Sequence, residues 1–227
     1  MYNPISPGGY WRPVLARQRK GVRDVALTFD DGPTPETTPV ILRMLTEAGA
    51  RATFFLSGTR VERYPALVAD IVRAGHDVYG HAWDHLDFDR RAASEGLAEM
   101  RRVERALQAF RPTPPVYLVR FPYNAGWRRA AMHRAMRDFH PDTRFAYHTI
   151  STEDYRLAEN CPDRATLDAR CRDRAATIAA RADLPGSILL LHESPFGVNE
   201  SLNPMVAEVL LPHILDALKA RGLRCGP

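Results

Sequence analysis

Short apolar runs alternate with stretches of helical periodicity along most of the chain, and this alternation restricts the fold more than any other feature. Val25-Ala26-Leu27-Thr28-Phe29 is the first run, and it stops at Asp30-Asp31-Gly32-Pro33, a turn sequence. Residues 38–48 carry Val40, Ile41, Met44, Leu45 and Ala48 at near-helical spacing, and Gly49 stands where a helix usually stops. Ala52-Thr53-Phe54-Phe55-Leu56 repeats the strand signal. A helix over 65–74 ends at Gly75, and Asp77-Val78-Tyr79-Gly80 makes a short strand before two histidines. The pattern continues with helices over 92–110, 127–139, 164–181 and 204–220 and strands over 116–121, near 143–150 and over 187–191. Strands alternating with helices predict an α/β fold with a parallel sheet. Six or seven such units within 227 residues predict one domain built as a barrel rather than an open sheet, preceded by an irregular lead-in, 1–23, rich in Pro, Gly and Arg.

Composition narrows the function classes. With 45% hydrophobic and 26% charged residues the chain has no disordered or fibrous bias. The net charge of +4 comes from arginines scattered beside acidic residues, without a basic stripe interleaved with aromatics, so no nucleic-acid partner is expected. Cys161, Cys171 and Cys225 lack the paired spacing of a zinc ribbon and read as unpaired thiols. The first twelve residues hold no apolar core segment, which predicts neither a secretory signal nor an integral membrane segment, and hence a cytoplasmic chain. Oligomeric state leaves no signature.

The polar clusters fall at strand ends, where barrels gather their chemistry. Asp30 and Asp31 close the first strand, His81 and His85 follow the third, Arg120 to Tyr123 follow the fourth, and His192 closes the run Ile188-Leu189-Leu190-Leu191. Two histidines four apart suit a borderline divalent metal when a carboxylate from another strand end joins them, although alone they read equally as surface residues. Adjacent carboxylates at a strand end point in different directions, so that one can bind metal while the other faces the water that attacks. An imidazole such as His192, with an unperturbed pKa of about 6.5, suits a general acid for a leaving amine, or simply bonds to the backbone.

Taken in order, Thr28-Phe29-Asp30-Asp31-Gly32-Pro33, His81-x-x-x-His85, Arg120-Phe121-Pro122-Tyr123 and Leu190-Leu191-His192 resemble the motifs of the NodB-homology polysaccharide deacetylases, carbohydrate esterase family 4. Ala52-Thr53-Phe54-Phe55 and Gly75-His76-Asp77 match supporting stretches of the same family. The resemblance implies a distorted or incomplete (β/α) barrel of about seven parallel strands, forming one catalytic domain over 24–227. It also implies one divalent cation on Asp31, His81 and His85, with zinc the default and cobalt or nickel the alternatives. By the same resemblance Asp30 is the base, Arg120 its partner, the Tyr123 N–H an oxyanion donor and His192 the acid. The activity so implied removes the N-acetyl group of an amino sugar or related carbohydrate. Substrate contacts are expected from Pro122 and Leu190, and from Trp83, Trp127 and Phe196 in the loops 83–90, 124–129 and 193–203.

Two positions depart from the family pattern. Ala82 stands where a Ser or Thr hydroxyl usually fixes the histidine loop, and Ser151 replaces the first aspartate of the fourth motif, in Ser151-Thr152-Glu153-Asp154-Tyr155. Without a carboxylate, His192 would be a stronger acid with a low alkaline limit; otherwise Asp154 or Glu153 takes over the role. Two rival functions stay open: a hydrolase of an O-acetyl ester, N-formyl group or cyclic amide, and a non-catalytic carbohydrate-binding protein. Intact Asp30, Arg120 and His192 argue against the second.

Overall fold

The computed structural model of the chain describes residues 12–18, 21–195 and 201–226. In chain order the elements are β1 Val14–Leu15, β2 Val25–Asp30, α1 Thr38–Glu47, β3 Thr53–Leu56, α2 Gly58–Arg63, α3 Pro65–Arg73, β4 Asp77–Gly80 and α4 Ala93–Leu107. There follow β5 Tyr117–Val119, α5 Ala130–Phe139, β6 Thr143–Ala146, β7 Ile150–Ser151, α6 Arg164–Ala179, β8 Ile188–His192, α7 Val206–Ala220 and β9 Cys225–Gly226. Every ladder is parallel, in one sheet of order β4-β3-β2-β8-β7 with β9 also on β2, and a second of order β1-β6-β5.

The strands alternate between two apolar environments. On β2, Leu27 and Phe29 are fully buried facing outward under the helices, while Thr28 and Asp30 face the barrel interior and meet Arg120 there. The helices supply the other side of this layer through Ile41 and Leu45 of α1, Leu167 and Ile178 of α6, and Leu210, Leu211 and Ile214 of α7. Each such side chain contributes roughly 1.5–3 kcal/mol by leaving water.

The barrel stays open because side chains take up backbone groups that a closing ladder would use. At the β4 edge the Gly80 N–H donates to the Tyr117 hydroxyl at 3.3 Å, and Arg111 Nε donates to the Val78 carbonyl at 2.9 Å. Glu104 holds both partners, accepting from Tyr117 Oη at 2.8 Å and from Arg111 at 2.9 Å. At the other gap the carbonyls of Ala146 and Tyr147 accept from Arg120 at 3.0 and 3.2 Å. The strand expected over 143–150 is therefore two pieces, β6 and β7, belonging to different sheets. The lead-in is not wholly irregular either: Val14 and Leu15 pair with Phe145 and Ala146, giving the second sheet its edge. Cys161, Cys171 and Cys225 are free thiols, as expected. No helix among the described residues is long and apolar enough to cross a membrane.

Candidate active site

β2 and β8 run in register, with Thr28 opposite Leu190 and Asp30 opposite His192, so the two strands deliver a carboxylate and an imidazole side by side at the same end of the barrel. Asp31 follows with φ 76°, a left-handed conformation that costs a non-glycine residue about 1–3 kcal/mol. In regular strand geometry Asp31 would point away from Asp30; the left-handed turn swings it back, and both line one cavity of about 420 Å³.

Asp31, His81 and His85 form the single cluster among the described residues whose donor atoms lie close enough to share a metal ion, all within 4.8 Å of one another. Asp31 Oδ1 is 3.5 Å from His81 Nε2 and 3.2 Å from His85 Nε2. That oxygen is buried and has no hydrogen-bond partner, a costly state which a cation on these three atoms would relieve. His81 directs Nδ1 to the Arg120 carbonyl at 2.9 Å, which leaves Nε2 as the free lone pair. Burial keeps His81 neutral by lowering its pKa. Burial alone would raise Asp31, but His85 and His81 outweigh it and hold the carboxyl below the usual range. One carboxylate and two imidazoles is a donor set that fits zinc.

The histidine loop is irregular, and it is held from outside. Glu99 on α4 accepts from the N–H groups of Trp83 and Asp84 at 2.9 and 2.7 Å, and Ser57 Oγ donates to the Trp83 carbonyl at 3.1 Å. Gly58 N donates to the carbonyl of Ala82, which takes φ 63°. These contacts hold the loop on both sides of Ala82, which has no hydroxyl of its own.

Arg120 reaches across the barrel interior. Its Nη1 donates to Asp30 Oδ1 at 2.7 Å and to Thr28 Oγ1 at 2.8 Å, and its guanidinium lies 4.2 Å from the centre of the Phe55 ring. Asp30 Oδ2 then points toward His81 Nε2, 3.8 Å away. On the opposite wall His192 Nδ1 donates to Asp154 Oδ1 at 2.7 Å, while the His192 backbone N–H donates to Asp154 Oδ2 at 2.6 Å. Burial by itself would lower the His192 pKa; the Asp154 charge and hydrogen bond overcome this and raise it to about 9. Asp154 is thus the partner that Ser151 does not provide, and the stronger, less often protonated acid expected without a carboxylate does not arise. Glu153 is turned away by its φ of 52° and pairs with Arg174 at 2.7 Å.

The same cavity is lined by Tyr123, Asn124, His148, Ser151, Tyr155, Leu190 and Pro195. Tyr123, 66% exposed with φ 58°, sets its ring edge-on to His85 at 4.7 Å. Of the expected substrate contacts, Leu190 lies in the cavity and three do not. Trp83 is buried under Arg102, whose guanidinium stands 3.7 Å from its ring, Pro122 is buried, and Trp127 packs on Tyr147 with ring centres 5.2 Å apart. Phe196 lies outside the described residues. Glu193, expected on a binding surface, is buried, and burial pushes its carboxyl up to about 8. His148 went unread because the expected strand ran past it; β6 ends at Ala146, so His148 obeys the same strand-end rule as the other site residues. Its Nδ1 has no partner, and burial, reinforced by Arg120, lowers its pKa to about 4.

An open parallel α/β barrel with a carboxylate–bis-imidazole cluster, flanked by a second carboxylate and a carboxylate-held histidine, defines a hydrolase class. The chain belongs to the polysaccharide deacetylase family, whose profile matches residues 17–139. Over 95% of both chains it is 29% identical to a chitooligosaccharide deacetylase of Bradyrhizobium sp. (strain ANU 289). It is 38% identical over 102 residues, 44% of this chain and 21% of the relative, to the peptidoglycan-N-acetylmuramic acid deacetylase PdaC of Bacillus subtilis (strain 168). A crystal structure of the Bc1960 peptidoglycan N-acetylglucosamine deacetylase superimposes with a TM-score of 0.71 at 26% identity, covering 93% of this chain and 88% of that one.

Proposed function

We propose that this chain is a metal-dependent deacetylase that hydrolyses the N-acetyl group of an amino sugar, with an N-acetylated chitooligosaccharide as the substrate class. The observation that carries the reading is the pairing of Asp30–Arg120 and His192–Asp154 on two walls of the cavity that also holds the Asp31–His81–His85 cluster. A divalent cation bound by that cluster, zinc by its donor set with cobalt or nickel as alternatives, supplies Lewis-acid polarisation and a lowered pKa for water. Asp30 accepts the proton of the attacking water at Oδ2, because Arg120 occupies Oδ1. The backbone N–H of Tyr123 donates to the acyl oxygen as it gains charge. His192, with Nδ1 tied to Asp154, presents Nε2 to the departing nitrogen and gives it a proton. Leu190 and Tyr155 make the apolar side on which an acyl methyl rests.

An amine leaves poorly unless protonated, so a histidine raised to about 9 favours an N-acyl over an O-acyl bond. The near match in length to a chitooligosaccharide deacetylase supports the substrate class. A binding module has no use for a buried carboxylate–arginine pair beside a buried imidazole–carboxylate pair, since each costs several kcal/mol of desolvation. The test is acetate release from N-acetylated chitooligosaccharides, with peptidoglycan fragments and an O-acetyl ester as comparison substrates. Chelation should abolish turnover and added zinc or cobalt restore it. Full turnover by chelated, metal-free protein overturns the reading.

A further inference from the structure

Glu193 continues β8 one residue past His192, and its backbone N–H donates to the Asp30 carbonyl at 3.0 Å. His192 faces the cavity, so the next side chain faces the other way, beneath the turn that carries Asp31. There Glu193 is only 1% exposed. Its Oε2 accepts from Thr38 Oγ1 at the start of α1, and Thr38 Oγ1 in turn accepts from Thr34 N at 2.8 Å. Oε1 has no hydrogen-bond partner and lies where a Cβ on Gly32 would be. Gly32 does not take a positive φ, and the three atoms nearest to where its Cβ would stand all belong to the Glu193 carboxyl, which leaves no room for a side chain there. On the other side Arg60 of α2 donates to the Asp31 carbonyl at 3.1 Å and to the Ser194 carbonyl at 2.8 Å.

The arrangement is expensive for a packing device. A leucine would fill the space without burying a carboxyl oxygen that has no partner. What the carboxyl does, and an alkyl group does not, is tie the end of β8 to α1 across the underside of the Asp31 turn. We propose that Glu193 is a positioning residue that holds Asp31 in its left-handed conformation and so keeps the Asp31–His81–His85 cluster in register for its cation. This inference rests on the metal centre proposed above.

The experiment measures zinc affinity of the whole, metal-stripped chain by competition with a chromophoric chelator, together with the Tm of the zinc-free protein. The parent is compared with Glu193→Gln, Glu193→Leu, Gly32→Ala and the double variant Gly32→Ala/Glu193→Ala. Gln keeps an oxygen for Thr38 and should stay near the parental affinity. Leu and the Gly32 variant should each bind zinc about 10–100-fold more weakly. Leu should do so with zinc-free Tm retained, since apolar replacement of a buried polar group is often neutral. The double variant relieves the steric conflict but also removes the carboxyl, so it should stay about as weak as the Leu variant. A Leu variant that loses Tm but binds zinc like the parent has lost only packing, and overturns the proposal. So does a double variant that binds zinc like the parent, a comparison that stands even where the Leu variant does not fold. A parent that binds no zinc overturns the metal centre itself; a parent that binds zinc and releases acetate while the Leu variant matches it overturns only the role of Glu193.

Discussion

At the scale of single residues the chemistry depends on which hydrogen-bond partner each titratable group has. His192 is held by both oxygens of Asp154 and raised to about 9, so it stays protonated through neutral pH. A general acid works below its pKa, and the alkaline limb of kcat against pH should therefore sit well above 6.5. Asp154→Asn should move that limb down and cost on the order of 10²–10⁴-fold in kcat. Ser151→Ala should leave the limb in place, since among the described residues Ser151 Oγ accepts from the Glu153 N–H, at 3.2 Å, and makes no bond to His192. An unmoved limb in Asp154→Asn would remove His192 from its role. The two adjacent aspartates separate by another measurement, metal content: Asp31→Asn should lose the cation, while Asp30→Asn should keep cation and fold and lose turnover. His148 bears on stability. Its pKa is about 6.5 unfolded and about 4 folded, so the unfolded chain takes up the proton first as pH falls. The stability it contributes is present above pH 6.5 and is lost between 6.5 and 4. His148→Gln should flatten that part of the curve, read from urea midpoints at pH 7 and 5.

Elements decide how the loop bearing His81 and His85 is presented. The loop has no regular hydrogen bonding of its own, and α4 supplies it through Glu99. Glu99→Ala would leave the part-buried Trp83 N–H without its acceptor, at a cost of about 1–3 kcal/mol. The expected outcome is a lower Tm together with weaker zinc binding, measured by melting and by chelator competition; Glu99→Gln, which keeps an acceptor oxygen, should restore part of both. The position of α4 was legible from its period, but nothing in that period sets Glu99 apart from the other charges of the helix. Trp83 was misread for a related reason. An aromatic residue in an active-site loop looks available for stacking on a sugar, whereas here the same contacts that fix the loop pull the ring under Arg102 and against Gly58.

At the scale of the whole molecule Arg120 bonds to groups on β2, to the end of β6 and to the residue after it, and so bridges the two sheets of an unclosed barrel. Arg120→Met removes those bonds and leaves Asp30 charged and buried without its partner, a change expected to cost about 3–5 kcal/mol. Asp30→Asn/Arg120→Met should be more stable than Arg120→Met alone, because the uncompensated charge is gone. Urea unfolding of the parent and the three variants tests this, and a strictly additive cycle would mean that the pair does not couple the sheets.

The sequence by itself determined the parallel α/β order, the strand ends that carry the chemistry, and the Asp31–His81–His85 and Asp30–Arg120 sets. The order and the strand ends follow from local periodicity and from residue types placed where apolar runs stop, and the two residue sets from the resemblance of those motifs to the polysaccharide deacetylases. Tertiary structure alone decided that Asp154 rather than Ser151 or Glu153 serves His192, that His148 enters the cavity and Trp83 and Trp127 do not, and that Glu193 lies beneath the Asp31 turn. Each of those outcomes depends on a backbone turn of one or two residues, such as φ 52° at Glu153 or φ 76° at Asp31, or on a partner far away in the chain. A one-residue change of direction reverses which way a side chain points, and no pattern of hydrophobicity records it.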